Sequence, residues 1–483
     1  MDAAIATNVT LGVVTPYLCG YGGDLFAMVW EGGEVHGYNG SGRAPAAATV
    51  EAVRAAAGAG ELPPIGPHTV TVPGAVQGWF DLLHRFGSRS FGALSDPART
   101  YARDGFVLSE MAARSIDRAR EVFVDSKEWR AVYGQARANE VLRQPGLART
   151  IEALARDGPE AYYRGPIAEA IASHLRTLGG LMTVDDLAGH SGDWVAPVSG
   201  AFRDVEILEM PPNSQGVVAL EALQIADGVG PLPADGAERH HLLIEAVKLA
   251  LADRASYVTD PVAMTVPAQT LASKEWARQR ASSFDPDRAS DPASGRPALA
   301  GTAYLCAADA DGMLVSLIQS NYSGFGSGVT VPDWGINLQN RGTFFSLDLS
   351  DANVIAPRKR TMHTLMPAMA LRDGRPWLAF GTMGGDGQAQ FHVQLLTRIV
   401  EDREDLQRAI DAPRWVVSPG HWTVTAEREL GPPTLDGLRR RGHELAVVGN
   451  HESLLGHAHA IRVIAGGYEG ATDPRAEGAV LGF

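Results

Sequence analysis

The sequence predicts an α+β fold in which both ends of the chain supply strands and the middle supplies helices. Three observations carry this reading. Helical periods dominate from about residue 75 to 280, strand-and-turn signals gather near the start and again after residue 302, and an aperiodic stretch, Asp285 to Gly301, stands between them.

Residues 1 to 13 read as a buried helix, followed by the glycine-rich turn Gly20-Tyr-Gly-Gly23. Leu25 to Trp30 and Val35 to Asn39 flank Glu31-Gly-Gly-Glu34 as a hairpin. In the middle, helical periods run over Glu110 to Phe123, Leu147 to Asp157, Ile167 to Leu178, Gly216 to Ala226 and Arg239 to Tyr257. After the Pro/Ala/Ser/Asp-rich linker, Ala303 to Ala308 and Met313 to Ser320 enclose the turn Asp309-Ala-Asp-Gly312, a second hairpin. A further strand pair flanks Arg372-Asp-Gly374, a helix covers roughly Gln388 to Val400, and Trp422 to Ala426, Glu444 to Val448 and Ala460 to Ile464 read as strands. No internal repeat is visible.

A net charge of -14 without any Lys/Arg run argues against nucleic acid or an anionic membrane as partner. No stretch approaches the roughly 20 apolar residues of a membrane span. The start shows no secretory signal, so the cytoplasm is the default location. The chain also opens directly on helix-like residues, as one that had lost an upstream segment would. Two cysteines, Cys19 and Cys306, are too few for a disulfide framework and read as buried or half-buried thiols. His457 and His459 lack an acidic or thiol partner nearby in sequence and read as strand residues sharing a face, not as a metal pair.

The linker ends in Gly301-Thr302 and enters a buried hairpin, the arrangement an autocatalytic cut requires. Gly301 leaves the scissile carbonyl unobstructed and Thr302 places a hydroxyl next to the bond. After an N-to-O acyl shift and hydrolysis, Thr302 would own a nucleophilic oxygen and a free amine able to act as its general base. A Gly-Thr before a strand is by itself weak, because a loop residue capping a strand looks the same.

Separated motifs add to it. Asp2-Ala-Ala-Ile-Ala through Gly12-Val-Val and Gly20 to Gly23, Thr71 to Trp79, Leu181 to Leu187, Pro211 to Gly216, and Ala252-Asp-Arg254 with Asp260-Pro261 come in order. Gly301-Thr302, Phe325 to Gly328, Gly384-Gly385 and Ala471 to Arg475 complete the series. In this order and spacing the chain resembles the gamma-glutamyltranspeptidases. The resemblance implies a four-layer αββα sandwich of the N-terminal-nucleophile (Ntn) hydrolase type. That is a single domain made of two autoprocessed subunits: a large one of residues 1–301, with a flexible tail over 285–301, and a small one of residues 302–483. It implies Thr302 as nucleophile, Ser320 as the hydroxyl that hydrogen-bonds it, and Gly384 and Gly385 as oxyanion-hole donors. It also implies no cofactor, a small-molecule amide as substrate, water or an amine as acceptor, and a large/small heterodimer or a dimer of these.

The chain departs from the family where the glutamate head group is held. Ser41 stands where the family has the Arg for the α-carboxylate, and Phe344 where it has the Asp for the α-amine. His363-Thr364 replace a Ser-Ser pair, and Tyr322 replaces an Asn. The stretch from Ser346 to Arg360 is too short for the lid loop of many members. Asn340, Arg341 and Phe344 share the segment Asn340-Arg-Gly-Thr-Phe-Phe345. Arg43 and Arg341 could each grip a carboxylate by a bidentate fork, or be surface or structural arginines. The pattern resembles glutaryl or cephalosporin acylases, hydrolases of short acidic amides and biosynthetic carbon-carbon hydrolases as well as enzymes acting on gamma-glutamyl amides. A rival of another class is an uncut relative serving as a binding or structural protein.

Overall fold

The computed structural model describes residues 1–58, 61–292 and 301–482. The expected tail therefore lies partly outside the described residues, at 293–300. Of the predicted elements, the first helix spans Asp2–Val14 and the first hairpin pairs Asp24–Glu31 with Glu34–Asn39. The second hairpin pairs Gly301–Ala308 with Leu314–Tyr322.

Two sheets stack face to face. The first has the order Asp193–Val195, Glu34–Asn39, Asp24–Glu31, Leu314–Tyr322, Gly301–Ala308. The second has the order Gly467–Thr472, His457–Ile464, Arg375–Met383, Ala368–Arg372, Val205–Glu209, Val198–Phe202. Strand alternation sorts the side chains into layers. From Asp24–Glu31, Phe26 and Met28 point between the sheets and meet Leu208, Ile318 and Met369. Leu25, Ala27 and Val29 point the other way and pack on Ile5, Val9, Trp79 and Ile151 of the outer helices. The second sheet turns Ile207, Leu378 and Phe380 toward Leu220 and Val247 of the helices Gly216–Val229 and Ala237–Tyr257. Helix, sheet, sheet, helix is the four-layer αββα order. Each large apolar side chain so buried contributes about 1.5–3 kcal/mol relative to exposure.

Strands interrupt the expected helical middle in two places, and the short ladder of Phe106–Val107 on Val141–Leu142 is the first. The second is made of Asp193–Val195, Val198–Phe202 and Val205–Glu209, the last two a hairpin turning at Arg203, whose φ is 54°. Their short alternation, with Val205 and Ile207 inward and Glu206 outward, is overshadowed in sequence by the longer helical periods on both sides. Two boundaries also move. The strand expected from Trp422 begins at Val424, because Trp422 has a left-handed φ of 55°. The helix expected over Gln388 to Val400 is Gly387–Leu396, continued by a π-turn over Thr397–Glu401.

Candidate active site

Gly301 faces Tyr322 across the ladder and Ala303 faces Gln319, so Thr302 alone stands opposite Ser320 and Asn321. This bulge re-aims side chains at the start of the strand. Thr302, only 1% exposed, donates its hydroxyl to Ser320 Oγ at 3.2 Å. Ser320 donates in turn to the carbonyl oxygen of Gly301 at 2.6 Å, and its oxygen also accepts the Tyr322 N–H at 2.7 Å. Every hydrogen-bonding direction of Ser320 is thereby used, one donated and two accepted. The Gly301 carbonyl therefore accepts from the same hydroxyl that accepts from Thr302.

Gly384 and Gly385 link the strand Arg375–Met383 to the helix Gly387–Leu396, with φ of 136° and 58°. A Cβ at Gly384 would stand 2.8 Å from Phe391 Cε2, so glycine is required there for space as well as conformation. The turn is held from the N-terminal part of the chain. Gln215 Nε2 donates to the carbonyls of Gly385 at 3.0 Å and Thr364 at 3.1 Å, and Gln215 Oε1 accepts from Arg254 Nη1 at 2.5 Å. Arg254 is also ion-paired with Asp386, the residue after the glycines.

Arg341 closes the circuit between these two parts. Its Nη1 donates to Thr364 Oγ1 at 2.9 Å, and its guanidinium lies 4.5 Å from the Tyr322 ring and 5.6 Å from the half-buried Phe344 ring. Contacts therefore run from Thr302 through Ser320, Tyr322, Arg341, Thr364 and Gln215 to Gly385. Arg341 is 1% exposed, and its Nε and Nη2 have no partner among the described residues. An orphaned buried donor costs about 1–3 kcal/mol. Burial pulls its pKa down to about 10, against the pull of Asp24, so the guanidinium stays charged at neutral pH.

The other expected contact residues fall into two groups. His363 joins the circuit's inner side: Leu365 N–H donates to its Nδ1 at 3.2 Å, which leaves the proton on Nε2, 3.1 Å from Asp24 Oδ2. Burial, then Arg341 and Arg360, hold the His363 imidazolium well below its ordinary pKa, so it is neutral. Asn340 instead braces the backbone, donating to Pro64 O at 2.8 Å and accepting from Ser323 N at 3.1 Å. Arg43 has its charge already engaged, by Asp193 at 3.5 Å and Asp260 at 3.6 Å, with its side chain 41% exposed. Ser41 is buried and hydrogen-bonds Asn39 at 2.7 Å.

Three participants are not singled out by the sequence reading: Asp24, Gln215 and Arg254. Asp24 pairs with Ser320 in the sheet register, so the two side chains share a face. It accepts the N–H groups of Gly42 at 3.2 Å and Gly74 at 3.3 Å besides His363. Burial pushes its carboxyl up to about 6, against the opposing pull of Arg341 and those two N–H groups. A carboxylate opening the otherwise apolar run Asp24 to Trp30 was its available signal, and Gln215 and Arg254 lie inside motifs already noted.

Among the described residues, one group has metal-ligand spacing: His241, Glu245 and His443. His241 Nε2 donates to the Asp285 carbonyl at 2.8 Å, so its Nδ1 accepts from His443 Nε2 at 2.7 Å. The buried Lys248 ammonium, 3.0 Å from Glu245 Oε1, already supplies the cation there. His457 and His459 are hydrogen-bonded to Ser453 at 2.8 Å and Thr472 at 2.9 Å. Cys19 is buried and Cys306 half-buried. No helix among the described residues is long and apolar enough to cross a membrane.

The gamma-glutamyltranspeptidase family model matches residues 1–483. Among curated proteins, the chain is 38% identical to the glutathione hydrolase-like YwrD proenzyme of Bacillus subtilis, covering 100% of this chain and 94% of the relative. It is 36% identical to the oxamate amidohydrolase proenzyme of Klebsiella pneumoniae, with the same coverage of 100% and 94%. Among solved structures, a cephalosporin acylase from Bacillus halodurans superposes with a TM-score of 0.94 at 39% identity, over 99% of this chain and 90% of that one. Likeness of this extent, in sequence from end to end and in the stacking of both sheets, makes the chain a member of the gamma-glutamyltranspeptidase family and an autoprocessed amidohydrolase or acyltransferase.

Proposed function

We propose that Thr302 is the residue that both cuts the chain and carries the acyl group, dividing it into pieces of 301 and 182 residues (483 - 302 + 1 = 182). The observation that supports this is the hydroxyl pair on the scissile carbonyl: Thr302 on Ser320 at 3.2 Å and Ser320 on Gly301 O at 2.6 Å. In the cut, Thr302 Oγ bonds to the Gly301 carbonyl carbon, the C–N bond breaks, and the proton lost from the hydroxyl ends on the departing amine. Water then hydrolyses the ester, leaving a Gly301 carboxylate and a Thr302 with free hydroxyl and amine. In turnover the amine takes the hydroxyl proton as Oγ attacks the substrate amide carbonyl. The N–H groups of Gly384 and Gly385 receive the developing oxyanion, and the leaving amine departs with a proton. Water or an amine then releases the acyl group from Thr302.

Classical gamma-glutamyl recognition is weakened by Ser41 and Phe344, neither of which can pair with a charged head group. The similar proteins include a cephalosporin acylase and an oxamate amidohydrolase, which supports hydrolysis of other acyl amides. Thr302→Ala tests the assignment: it should remain a single chain without activity, whereas Thr302→Ser should still yield two bands on denaturing electrophoresis. An alanine variant that is cut and active would remove Thr302 from both roles.

A further inference from the structure

Arg341 is a buried cation held by one hydrogen bond, to Thr364 Oγ1 at 2.9 Å, and by the faces of Tyr322 and Phe344. The two donors left over, Nε and Nη2, lie on one edge of the guanidinium. That edge is a planar fork whose spacing matches the two oxygens of a carboxylate. Among the described residues no carboxylate is ion-paired with it, and the nearby acids are committed elsewhere. Asp24 receives Gly42, Gly74 and His363, and Asp386 pairs with Arg254. Tyr322, on whose ring Arg341 lies, gives its N–H to the Ser320 hydroxyl that touches Thr302, so the fork belongs to the nucleophile's surroundings.

The geometry points to the Nε–Nη2 edge of Arg341 as the seat of a substrate carboxylate, and to amides of ω-carboxy acids without an α-amine as the acyl donors. An ammonium next to that carboxylate meets the Phe344 ring where the family has an acid, and Asp24 has three donors upon it already. The charge that matters in the acyl group is therefore the anion alone. This rests on the reading of Thr302 as nucleophile, which its own variants test separately.

The test uses the processed wild-type enzyme with glutaryl, butyryl and gamma-glutamyl p-nitroanilides. A buried charge pair implies that glutaryl exceeds butyryl by about 100-fold in kcat/KM. Gamma-glutamyl should be no better than glutaryl, and a scan from oxalyl to adipyl should show an optimum length. Arg341→Lys, which keeps the charge but loses the fork, should cut the glutaryl-to-butyryl ratio by roughly tenfold. Arg341→Gln should bring it near unity. Equal rates for glutaryl and butyryl in the wild type, or a ratio preserved in Arg341→Gln, overturn the proposal. So does a strong gamma-glutamyl preference. If none of the anilides is turned over, calorimetry with glutaramate decides. Saturable binding that is lost in Arg341→Gln supports the site, and absence of binding by the wild type refutes it. Failure of the nucleophile assignment shows elsewhere, as an active Thr302→Ala.

Discussion

Ser320 makes two contacts through one hydroxyl, and substitution removes or keeps them together. Alanine removes the donor on the Gly301 carbonyl and the acceptor for Thr302 together. Losing one preorganised donor on a developing oxyanion costs on the order of 100-fold or more in rate. Ser320→Ala should slow the appearance of the two pieces by that factor in a timed electrophoresis series, while Ser320→Thr should process normally. Asp24 adds a pH dependence. Burial raises its carboxyl to about 6, so it is ionised above that pH and neutral below it. Ionised, it partly offsets the Arg341 cation; protonated, it does not. Binding of an anion at Arg341 should therefore be tightest below pH 6 and weaken as pH rises through it, and by linkage binding should draw a proton onto Asp24. His363 stays neutral throughout, because burial with Arg341 and Arg360 holds its pKa far down. The inhibition constant of glutaramate, whose carboxyl stays ionised above roughly pH 5, should rise between pH 5.5 and 7.5. A flat profile would show that Asp24 and the bound anion do not share Arg341.

At the scale of the element, the Gly384-Gly385 turn, which follows Thr302 in the chain, is braced by residues that precede it. The Gly384-Gly385 turn cannot hold its own left-handed conformation by side chains, since it has none. Its carbonyl at Gly385 is instead fixed by Gln215, and Gln215 is fixed by Arg254. On the proposed oxyanion role, a loosened turn would move its N–H donors relative to the acyl carbon, and a displacement of about 1 Å costs on the order of 100-fold. Gln215→Ala should therefore lower kcat by roughly that much with little change in KM. Gln215→Glu keeps the shape but cannot donate to the Gly385 carbonyl, so it should fail to rescue kcat. A KM effect without a kcat effect would assign Gln215 to substrate binding instead.

At the scale of the molecule, the proposed cut before Thr302 does not coincide with any boundary of the packing. The first sheet takes three strands from before Thr302 and two from after it, and the second takes two from before and four from after. Between the sheets, Phe26 and Leu208 from before Thr302 interlock with Ile318, Met369 and Ala379 from after it. Separating the pieces would expose strand edges in both sheets and the whole inter-sheet core. The two pieces should therefore co-elute on native size-exclusion chromatography after processing and separate only in denaturant. Independent elution of either piece without denaturant would contradict this interleaving.

The Thr302 hairpin was legible because its signals are local: an aperiodic run, a Gly-Thr step, and a buried strand with a tight turn all lie within about 40 residues. The same holds for the helices of the middle, whose period repeats over several turns. The strands Val198–Phe202 and Val205–Glu209 carried the right alternation but over only five residues each, too few to stand out between long helices. Arg43 and Arg341 were indistinguishable in sequence, two arginines near lost anchor positions. Only the tertiary structure separates them, pairing Arg43 with Asp193 and Asp260 while burying Arg341 with two of its donors unpaired among the described residues. Asp24, Gln215 and Arg254 became part of the site in the same way, by meeting partners up to 339 positions away. Local backbone geometry repeats along the chain and so leaves a period in the sequence. Which charges meet, which donors stay unpaired and which carboxyl is lifted by burial depend on packing and dielectric in three dimensions, and leave none.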